Sequence, residues 1–597
     1  MDTVLERLKA LRKRMDEVQA DYFLCVTGDP HGSEYIADHY KTREYLSGFT
    51  GSNGTLLVGK KDAYLWTDGR YFVQAEKELE GSGIKLMRDG DEGVPKPAAF
   101  IKEKLKAGDH LHTDGRVLSS GFGMEIADAI KKKRVMFITD TDLAGDIWKK
   151  RPEDSARPIR ILPDKLTGRN TEDKIQKLSV KIKDAGAASH VITSLEEQMW
   201  LFNLRGDDIK CTPVAYSYTV INGKDVYLYL KKEAISKKLL TYLEQMEICV
   251  KPYEIFYEDL ERMQLKAPIL IDPSSLNFRI YQILRMKGKL TEAVGPVTRL
   301  KSVKNSIEIK HLKDIYIKDS LVLARFLRFI KENAAKKKIN EYEAALMLDR
   351  MRAGIKGFNG LSFPTISAFG ANAAMMHYEA PKEDSAVIKE GSLYLVDSGG
   401  QYDGGTTDVT RTLFIGDVNR KQKRHFTRVV IAMLRLQNAI FLKGCTGENL
   451  DVIAREPIWQ MGMDYKCGTG HGVGYMLGVH EGPAAIRWRM NAKKAAEPIL
   501  PGMTLSNEPG VYVAGSHGIR IENIELCEEI ETNEDGTFLH FVPLTYVPID
   551  LDGILKDEMQ PADIEMLNNY HAAVCDKLMP FMEGDDVMWL KEATRAI

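Results

Sequence analysis

The chain has 597 residues, of which 44% are apolar and 28% charged, a composition typical of globular proteins that bury sizeable cores. Its 83 basic and 85 acidic residues nearly cancel, so the charge balance predicts neither a nucleic acid nor a membrane partner. No apolar run approaches the roughly 18 residues of a membrane span. Seven scattered cysteines without Cys-x-x-Cys spacing argue against a disulfide framework and indicate a reducing compartment. These features predict a soluble cytoplasmic protein.

The N-terminal segment predicts an amphipathic helix rather than a targeting signal. Asp2 and Glu6 lie within it and it has no apolar core, which is unlike a secretion signal or an acid-poor transit peptide. Helical spacing places its apolar residues on one stripe: Val4, Leu5, Leu8, Leu11, Met15 and Val18.

Two polar stretches predict domain boundaries. Residues 149–158 contain two prolines and no periodic pattern. Residues 299–306 precede a long helical pattern over residues 307–333, for which Ser306 is the predicted N-cap. The predicted domains are residues 1–162, 163–303 and 304–597.

The first two domains are similar in layout. Residues 55–58 and 63–66 predict two strands, followed by a helix from Tyr71. Residues 216–221 and 226–230 predict two more strands, joined by the hairpin signal Asn222-Gly223 and followed by a helical segment. A duplicated α/β unit and two unrelated α/β domains both explain this layout. Eight of the thirteen histidines follow residue 304, so the third domain should hold the chemistry.

Two aspartates flank a turn rich in glycine in the third domain. A turn centred on Tyr402 and Asp403 would place Asp397 and Asp408 opposite each other, with Cβ atoms about 5 Å apart. Facing carboxylates destabilise a sheet unless a cation or a proton lies between them, and both follow or interrupt apolar strand residues. The pair therefore predicts a cation or a shared proton between the two carboxylates.

A second hairpin repeats this pattern. A turn centred on Gly515 would pair Glu508 with Glu522. Between the hairpins, His471 lies among glycines that allow the backbone to wrap closely around an imidazole. Four carboxylates and one histidine suit a pair of Mn²⁺ or Co²⁺ ions better than a thiolate zinc site. Two metals about 3.5–4 Å apart can share a hydroxide, the usual nucleophile of binuclear hydrolases.

These segments, in this order, resemble the pita-bread metallopeptidases, and most of all the long, three-domain aminopeptidase P (X-prolyl aminopeptidase) family. The resemblance covers essentially the whole chain. It implies an α/β (α+β) fold with two related creatinase-like N-terminal domains and a C-terminal pita-bread catalytic domain with an extension. Further matching stretches begin at Tyr45, Trp66, Trp200, Ser362, Met376, His480 and Leu567.

The resemblance also implies a role for each site residue. Asp397 and Asp408 would bind one metal, His471 and Glu508 would complete the second site, and Asp408 and Glu522 would bridge both. Glu508 would also transfer the proton of a hydroxide that bridges the metals and attacks the bond before proline. His480 would stabilise the tetrahedral intermediate. The remaining substrate contacts would come from His377, Tyr512, Arg520 and Arg70.

Several alternatives remain open from the sequence. Prolidase, an X-Pro dipeptidase, uses the same ligands, but two front domains rather than one favour aminopeptidase P over it and over methionine aminopeptidase. A non-catalytic pita-bread binding module would have lost ligands, and all five are present. Many family members have a histidine where this chain has Cys467, and Arg70 could simply close a surface turn. The resemblance implies two divalent metals, Mn²⁺ with Co²⁺ or Zn²⁺ as alternatives, and a homodimer.

Overall fold

The computed structural model describes residues 3–488 and 496–597. The chain forms two compact units: the first extends to Asp164 and resumes over Arg169–Thr298, and the second comprises Lys165–Gly168 and Arg299–Ile597. Within the described residues, no helix is both long and apolar enough to cross a membrane.

The first unit alternates helices and strands. Up to residue 161 these are α1 (Val4–Glu17), β1 (Tyr22–Val26), α2 (Thr42–Ser47), β2 (Thr55–Gly59), β3 (Ala63–Thr67), α3 (Phe72–Glu78), β4 (Lys85–Arg88), α4 (Pro97–Lys104), β5 (His110–Thr113), α5 (Ser120–Ile130), β6 (Met136–Ile138), α6 (Leu143–Ile147) and β7 (Arg160–Ile161). Up to residue 302 the chain continues with α7 (Asp164–Thr167), α8 (Thr171–Asp184), β8 (Ser189–Ile192), α9 (Leu195–Leu201), β9 (Leu204–Arg205), β10 (Ser217–Asn222), β11 (Asp225–Leu230), α10 (Lys237–Gln245), β12 (Ile248–Pro252), α11 (Phe256–Arg262), β13 (Ile269–Ile271), α12 (Phe278–Arg285), β14 (Leu290–Glu292) and α13 (Pro296–Ser302). Residues 165–167 of α7 and 299–302 of α13 belong to the second unit.

Two sheets of the first unit have the same topology. Their strand orders are β4-β3-β2-β1-β5-β6 and β12-β11-β10-β8-β13-β14. In each, the first three strands along the chain pair antiparallel, and the outer strands on both sides add in parallel. Equal order with equal strand directions supports the duplicated α/β unit over two unrelated domains. The predicted Asn222-Gly223 hairpin is confirmed, since Asn222 pairs with Asp225 and Gly223 has a φ of +71°.

The N-terminal helix is also present, with a narrower buried stripe than the sequence predicts. Leu8, Leu11 and Met15 are buried, whereas Leu5 is 57% exposed. Thr3 and Glu6 form a capping box at its start. The acidic residue that distinguishes the segment from a targeting signal therefore contributes to the helix terminus.

The second unit combines long helices with several antiparallel sheets. Its elements are α14 (Ser306–Lys337), α15 (Glu341–Ala353), β15 (Phe358–Leu361), β16 (Ile366–Phe369), β17 (Ser392–Ser398), β18 (Gly400–Tyr402), β19 (Gly405–Thr406), β20 (Val409–Ile415), α16 (Arg420–Gln437), β21 (Ile440–Leu442), α17 (Gly447–Trp459), β22 (Gly470–Gly472), β23 (Glu481–Ile486), β24 (Thr504–Asn507), β25 (Gly510–Val513), β26 (His517–Arg520), β27 (Asn523–Asn533), β28 (Gly536–Pro543), α18 (Pro561–Leu578) and α19 (Asp585–Ala593). The sheets have the orders β16-β17-β20, β15-β18-β19, β25-β26 and β21-β28-β27-β24-β22-β23.

Helix α14 begins one residue before the predicted start. Its N-cap is Asn305, not Ser306. The Asn305 side chain accepts a hydrogen bond from the backbone N–H of Glu308, and the Glu308 carboxylate accepts one from the backbone N–H of Asn305. Asparagine caps a helix about as well as serine, so the sequence alone could not choose between the two neighbours.

Strand β20 is buried along its whole length. Leu413 packs in one apolar cluster and Phe414 in another, so both faces of the strand are covered. Polar residues on such a strand need partners from the protein, because water cannot supply them. Thr410, Arg411 and Thr412 are therefore expected to have specific hydrogen-bond roles.

Candidate metal centre

The first predicted hairpin exists, but its register differs by two residues. Asp397 pairs with Thr410 rather than with Asp408, and Asp403 and Gly404 form the loop between Tyr402 and Gly405. The direct Asp397–Asp408 pairing is therefore wrong. Asp408 lies just before the first residue of β20, and its ligand atoms remain within 4.8 Å of those of Glu522, to which Thr410 donates.

The second predicted register is confirmed. Ladder β25–β26 pairs Gly510 with Arg520, and ladder β24–β27 pairs Asn507 with Asn523. Both ladders have the register of a turn centred on Gly515, whose φ is +71°. Glu508 and Glu522 occupy the break between the ladders, where the chain passes from one sheet to the other. The break turns the two carboxylates toward the same site instead of along one sheet face.

His471 is oriented by its own neighbourhood. Its Nδ1 lies 2.9 Å from the carbonyl oxygen of Gly472, a contact in which Nδ1–H donates. The opposite nitrogen, Nε2, lies 3.6 Å from Asp408 Oδ2 and 3.3 Å from Glu508 Oε1. This is the tautomer that a metal-binding histidine uses, with one nitrogen bonded to a carbonyl and the other directed at the ion.

The carboxylates of the site fit divalent cations. Potential ligand atoms of Asp408, His471 and Glu522 lie within 4.8 Å of one another. Among the described residues, Asp397 Oδ1 and Glu522 Oε1 are buried without a hydrogen-bond partner. Burial raises the pKa of Asp397, Asp408 and Glu522, and repulsion from neighbouring carboxylates adds to the increase. Buried, mutually repelling oxygens without donors are the arrangement that bound cations would compensate.

Glu508 differs from the other carboxylates. Burial alone would raise its pKa, but the His471 imidazole, Arg520 and His480 lower it to about 2. Its Oε1 accepts a hydrogen bond from Ser506 Oγ at 3.1 Å, and Ser506 Oγ also accepts from the His471 backbone at 2.9 Å. Ser506 therefore positions the histidine and the glutamate together.

Arg520 and Tyr512 lie beside Asp397. Arg520 Nη2 donates to Asp397 Oδ2 at 2.5 Å, and Nη1 donates to the Tyr512 hydroxyl at 2.8 Å. Arg520 also donates from Nε to Thr410 Oγ1, at 3.1 Å. The guanidinium thus joins a proposed metal ligand to a predicted substrate residue.

The two predicted substrate histidines are half-buried in the same unit. The His480 ring meets the His471 ring edge-on, with centroids 4.2 Å apart. His377 directly follows Met376, whose carbonyl oxygen lies 3.4 Å from Arg520 Nη2. His480 therefore lies next to the proposed ligands, and the segment of His377 is held by the Arg520 network.

Arg70 lies in the first unit, in a Thr-Asp-Gly-Arg turn. Its Nε and Nη2 donate to the two oxygens of Asp68 at 2.8 and 2.9 Å. The same four residues recur at 113–116, and Arg116 binds Asp114 in the same bidentate manner. This turn was not recognised as a repeat from the sequence, although the repeated tetrapeptide was visible.

Thr410 is a site residue that the sequence analysis missed. Its Oγ1 donates to Glu522 Oε2 at 2.7 Å, and its carbonyl oxygen accepts from the Glu522 backbone at 3.1 Å. The available signal was its position two residues after Asp408. A threonine inside an apolar strand otherwise indicates only strand propensity.

Comparisons with known proteins agree with this geometry. Metallopeptidase family M24 matches residues 310–529, and the C-terminal region of peptidase M24 matches residues 537–597. The creatinase/prolidase N-terminal domain matches residues 7–147 and 150–308. Aminopeptidase P2 of Arabidopsis thaliana is 35% identical over 631 residues, covering 99% of this chain and 88% of that protein. The chain belongs to metallopeptidase family M24.

Other relatives of this M24 protein match it over nearly full length. A probable Xaa-Pro aminopeptidase P of Pyricularia oryzae is 36% identical over 613 residues, covering 99% of this chain and 98% of its own. The crystal structure of X-prolyl aminopeptidase from Caenorhabditis elegans, described as a cytosolic enzyme with a di-nuclear active site, superposes with a TM-score of 0.94 and 30% identity over 100% of both chains. The predicted fold, two creatinase-like domains followed by a pita-bread metallopeptidase domain, is confirmed. The individual residue roles and domain boundaries stay predictions.

Proposed function

We propose that this M24 metallopeptidase is an Xaa-Pro aminopeptidase, which releases the first residue of peptides whose second residue is proline. The observation that carries the proposal is the whole-length match to proteins named Xaa-Pro aminopeptidase P, including both front domains. Prolidase shares the ligand types, so the ligands alone do not separate the two activities.

We assign the metal ligands to Asp397, Asp408, His471, Glu508 and Glu522. The unpartnered oxygens of Asp397 and Glu522 within the described residues, and the direction of His471 Nε2 toward Asp408 and Glu508, support this set. Two bound divalent ions would polarise the scissile carbonyl and lower the pKa of water. We propose Mn²⁺ as the metal, with Co²⁺ or Zn²⁺ as alternatives, because one nitrogen and several carboxylates form a hard donor set.

Glu508 is the proposed general base and acid. Burial alone would raise its pKa, but His471, Arg520 and His480 lower it, so the carboxylate is ionised at neutral pH and has an oxygen that can accept a proton. Oε1 is engaged by Ser506 and faces His471, so we assign the proton to Oε2. A carboxylate that takes a proton from water can return it to the leaving proline nitrogen, which has no N–H of its own before cleavage.

The remaining site residues orient the peptide. His480 is proposed to donate a hydrogen bond to the carbonyl oxygen as negative charge develops on it. His377, Tyr512 and Arg520 are proposed to line the pocket for proline, and Arg70 is proposed as a further peptide contact. The ring of proline fixes φ and removes a donor, so a pocket shaped for other residues fits it badly.

Further features of the protein follow from the same proposal. We propose domain boundaries at residues 162/163 and 303/304, a homodimer, and a cytoplasmic location. The location is supported by the Caenorhabditis elegans relative, which is described as cytosolic.

The test is hydrolysis by purified protein whose metal content is measured. We expect about two metal ions per chain, release of Arg from Arg-Pro-Pro, and little activity on the dipeptide Gly-Pro. A chain with Glu508→Gln is the matched control for contaminating peptidases. Cleavage of Gly-Pro alone would show prolidase activity instead of aminopeptidase activity. Two bound metals without cleavage of either peptide would favour a non-catalytic binding module.

A further inference from the structure

Arg411 is a fully buried arginine directly behind the proposed metal centre. It is 0% exposed, and among the described residues it forms no ion pair with a carboxylate. Removing a guanidinium from water costs several kcal/mol unless its donors are satisfied. Here they are satisfied by neutral acceptors: the carbonyl oxygens of Thr410, Glu522, Val547 and Pro548, the Asn523 side chain and the Tyr570 hydroxyl.

One of these contacts holds the backbone of a proposed ligand, and a second holds the carbonyl oxygen to which that backbone donates. Arg411 Nη1 donates to the carbonyl oxygen of Glu522 at 2.6 Å and to that of Thr410 at 2.8 Å. On the other face of the same strand, Thr410 Oγ1 donates to the Glu522 carboxylate at 2.7 Å. The consecutive residues Thr410 and Arg411 therefore fix both the main chain and the side chain of Glu522.

Helix α18, in the C-terminal region, completes this arrangement. Tyr570, on α18, is 4% exposed, and its hydroxyl accepts from Arg411 Nη2 at 2.7 Å. The same hydroxyl donates to the carbonyl oxygen of Val547 at 2.9 Å. The next residue, His571, accepts from the Ile549 backbone at 3.1 Å. Helix α18 is thus tied to the segment at 547–549, whose carbonyls also bind Arg411.

We propose that Tyr570 is a positioning residue for the metal centre: through Arg411 it holds Glu522 where it can bind metal. The C-terminal region then serves the metal chemistry as well as packing. The inference rests on the proposed assignment of Glu522 as a metal ligand, and it concerns metal affinity rather than peptide selectivity. Groups that orient metal ligands from outside typically change metal affinity 10–100-fold when removed.

The test compares two tyrosine-to-phenylalanine variants of the full chain. Tyr570→Phe removes only the hydroxyl that contacts Arg411. Tyr546→Phe is the matched control, because Tyr546 is a half-buried tyrosine whose ring faces the Lys577 ammonium at 5.9 Å. Mn²⁺ binding to metal-depleted protein is measured by calorimetry, and unfolding of the metal-free protein is measured separately.

We expect Tyr570→Phe to bind Mn²⁺ about 10–100-fold more weakly at one or both sites, and Tyr546→Phe to bind like the wild type. A second variant, Arg411→Lys, keeps the charge and loses the planar fork, and should also bind more weakly. Unchanged Mn²⁺ affinity in Tyr570→Phe, with or without a lower unfolding temperature, would overturn the inference. Normal Mn²⁺ binding by a wild type that cleaves no X-Pro peptide would instead overturn the proposed function.

Discussion

Arg520 and Asp397 form a one-sided pair: the guanidinium binds Oδ2 at 2.5 Å, while Oδ1 has no hydrogen-bond partner in the described part of the chain. The arginine therefore fixes the orientation of the carboxylate and leaves one oxygen for a metal. Through Tyr512 and the carbonyl of Met376 it also reaches the residues proposed to bind proline.

Arg520→Lys tests this double role. Lysine keeps the positive charge but cannot form the planar set of bonds to Asp397, Tyr512 and Thr410. We expect kcat/KM for Arg-Pro-Pro to fall about 10²-fold, the size of effect that a displacement of about 1 Å produces. Tyr512→Phe, which removes one of these bonds, should have a smaller effect. Wild-type kcat/KM in Arg520→Lys would show that the charge alone suffices.

The two hairpins show what a sequence can and cannot specify about this site. Gly515, with a φ of +71°, is an isolated glycine at the turn centre, and the register around it was predicted correctly. In the other hairpin, Gly404 and Gly405 both have positive φ values. Neighbouring glycines allow several turn centres, and the Asp403-Gly404 dipeptide, a strong signal for a two-residue hairpin loop, is the one that forms.

Contacts between distant segments could not be predicted. Thr410 and Glu522 are 112 residues apart, and Arg411 and Tyr570 are 159 residues apart. Their side chains carry no local pattern, because their roles depend on which strands and helices pack together. The proposed metal ligands could be selected from the sequence because each is a carboxylate or imidazole placed next to glycines or among apolar strand residues, where a charged group needs a specific partner.

Loss of a bridging carboxylate should remove metal. Asp408 and Glu522 are both buried, and each is proposed to bind both ions. We expect Asp408→Ala and Glu522→Ala to abolish activity and to reduce the bound metal below two ions per chain. Metal content by mass spectrometry and turnover of Arg-Pro-Pro are the measurements, with Asp403→Ala, in the exposed hairpin loop, as the control. Two metals with near-normal turnover in either variant would eliminate the binuclear assignment.

His480 should affect the rate and leave the metal in place. Its ring is perpendicular to that of His471, at 86°, with the ring centroids 4.2 Å apart, so it lies beside a proposed ligand. We expect His480→Ala to lower kcat about 10²-fold or more, the usual loss for a positioned oxyanion donor, with metal content unchanged. A variant that loses metal would identify His480 as a ligand.

Glu525 predicts a pH dependence of stability. It is 1% exposed, its side chain accepts from Asn507 at 2.8 Å, and burial raises its pKa to about 8. Its pKa in the unfolded chain is about 4.3. Between about pH 4.3 and pH 8, the Glu525 carboxyl is therefore protonated in the folded state and ionised in the unfolded state. The free energy of unfolding should therefore fall by about 1.4 kcal/mol per pH unit from about pH 4.3 to pH 8 through this group.

Glu525→Gln, which resembles the protonated side chain, should remove this contribution. We expect the variant to match the wild type near pH 4 and to be increasingly more stable as the pH rises to 8. Urea unfolding of both proteins at intervals of one pH unit measures the difference. Parallel stability curves for the two proteins would mean that Glu525 is ionised in the folded state.

A substitution at Arg70 tests whether this residue contacts the substrate or only stabilises its turn. Its bidentate pair with Asp68 is reproduced by Arg116 with Asp114, so Arg116→Ala is a matched control that breaks an equivalent turn. If Arg70 contacts the peptide, Arg70→Ala should lower kcat/KM for tripeptides and longer peptides more than for Gly-Pro, with metal content and unfolding temperature equal to those of Arg116→Ala. The loss could reach about 10²-fold, since misplacing a substrate by about 1 Å can cost that much. Equal kcat/KM values in the two variants for every peptide length would make Arg70 a turn residue only, because the proposed contact between Arg70 and the peptide would then have no effect on catalysis.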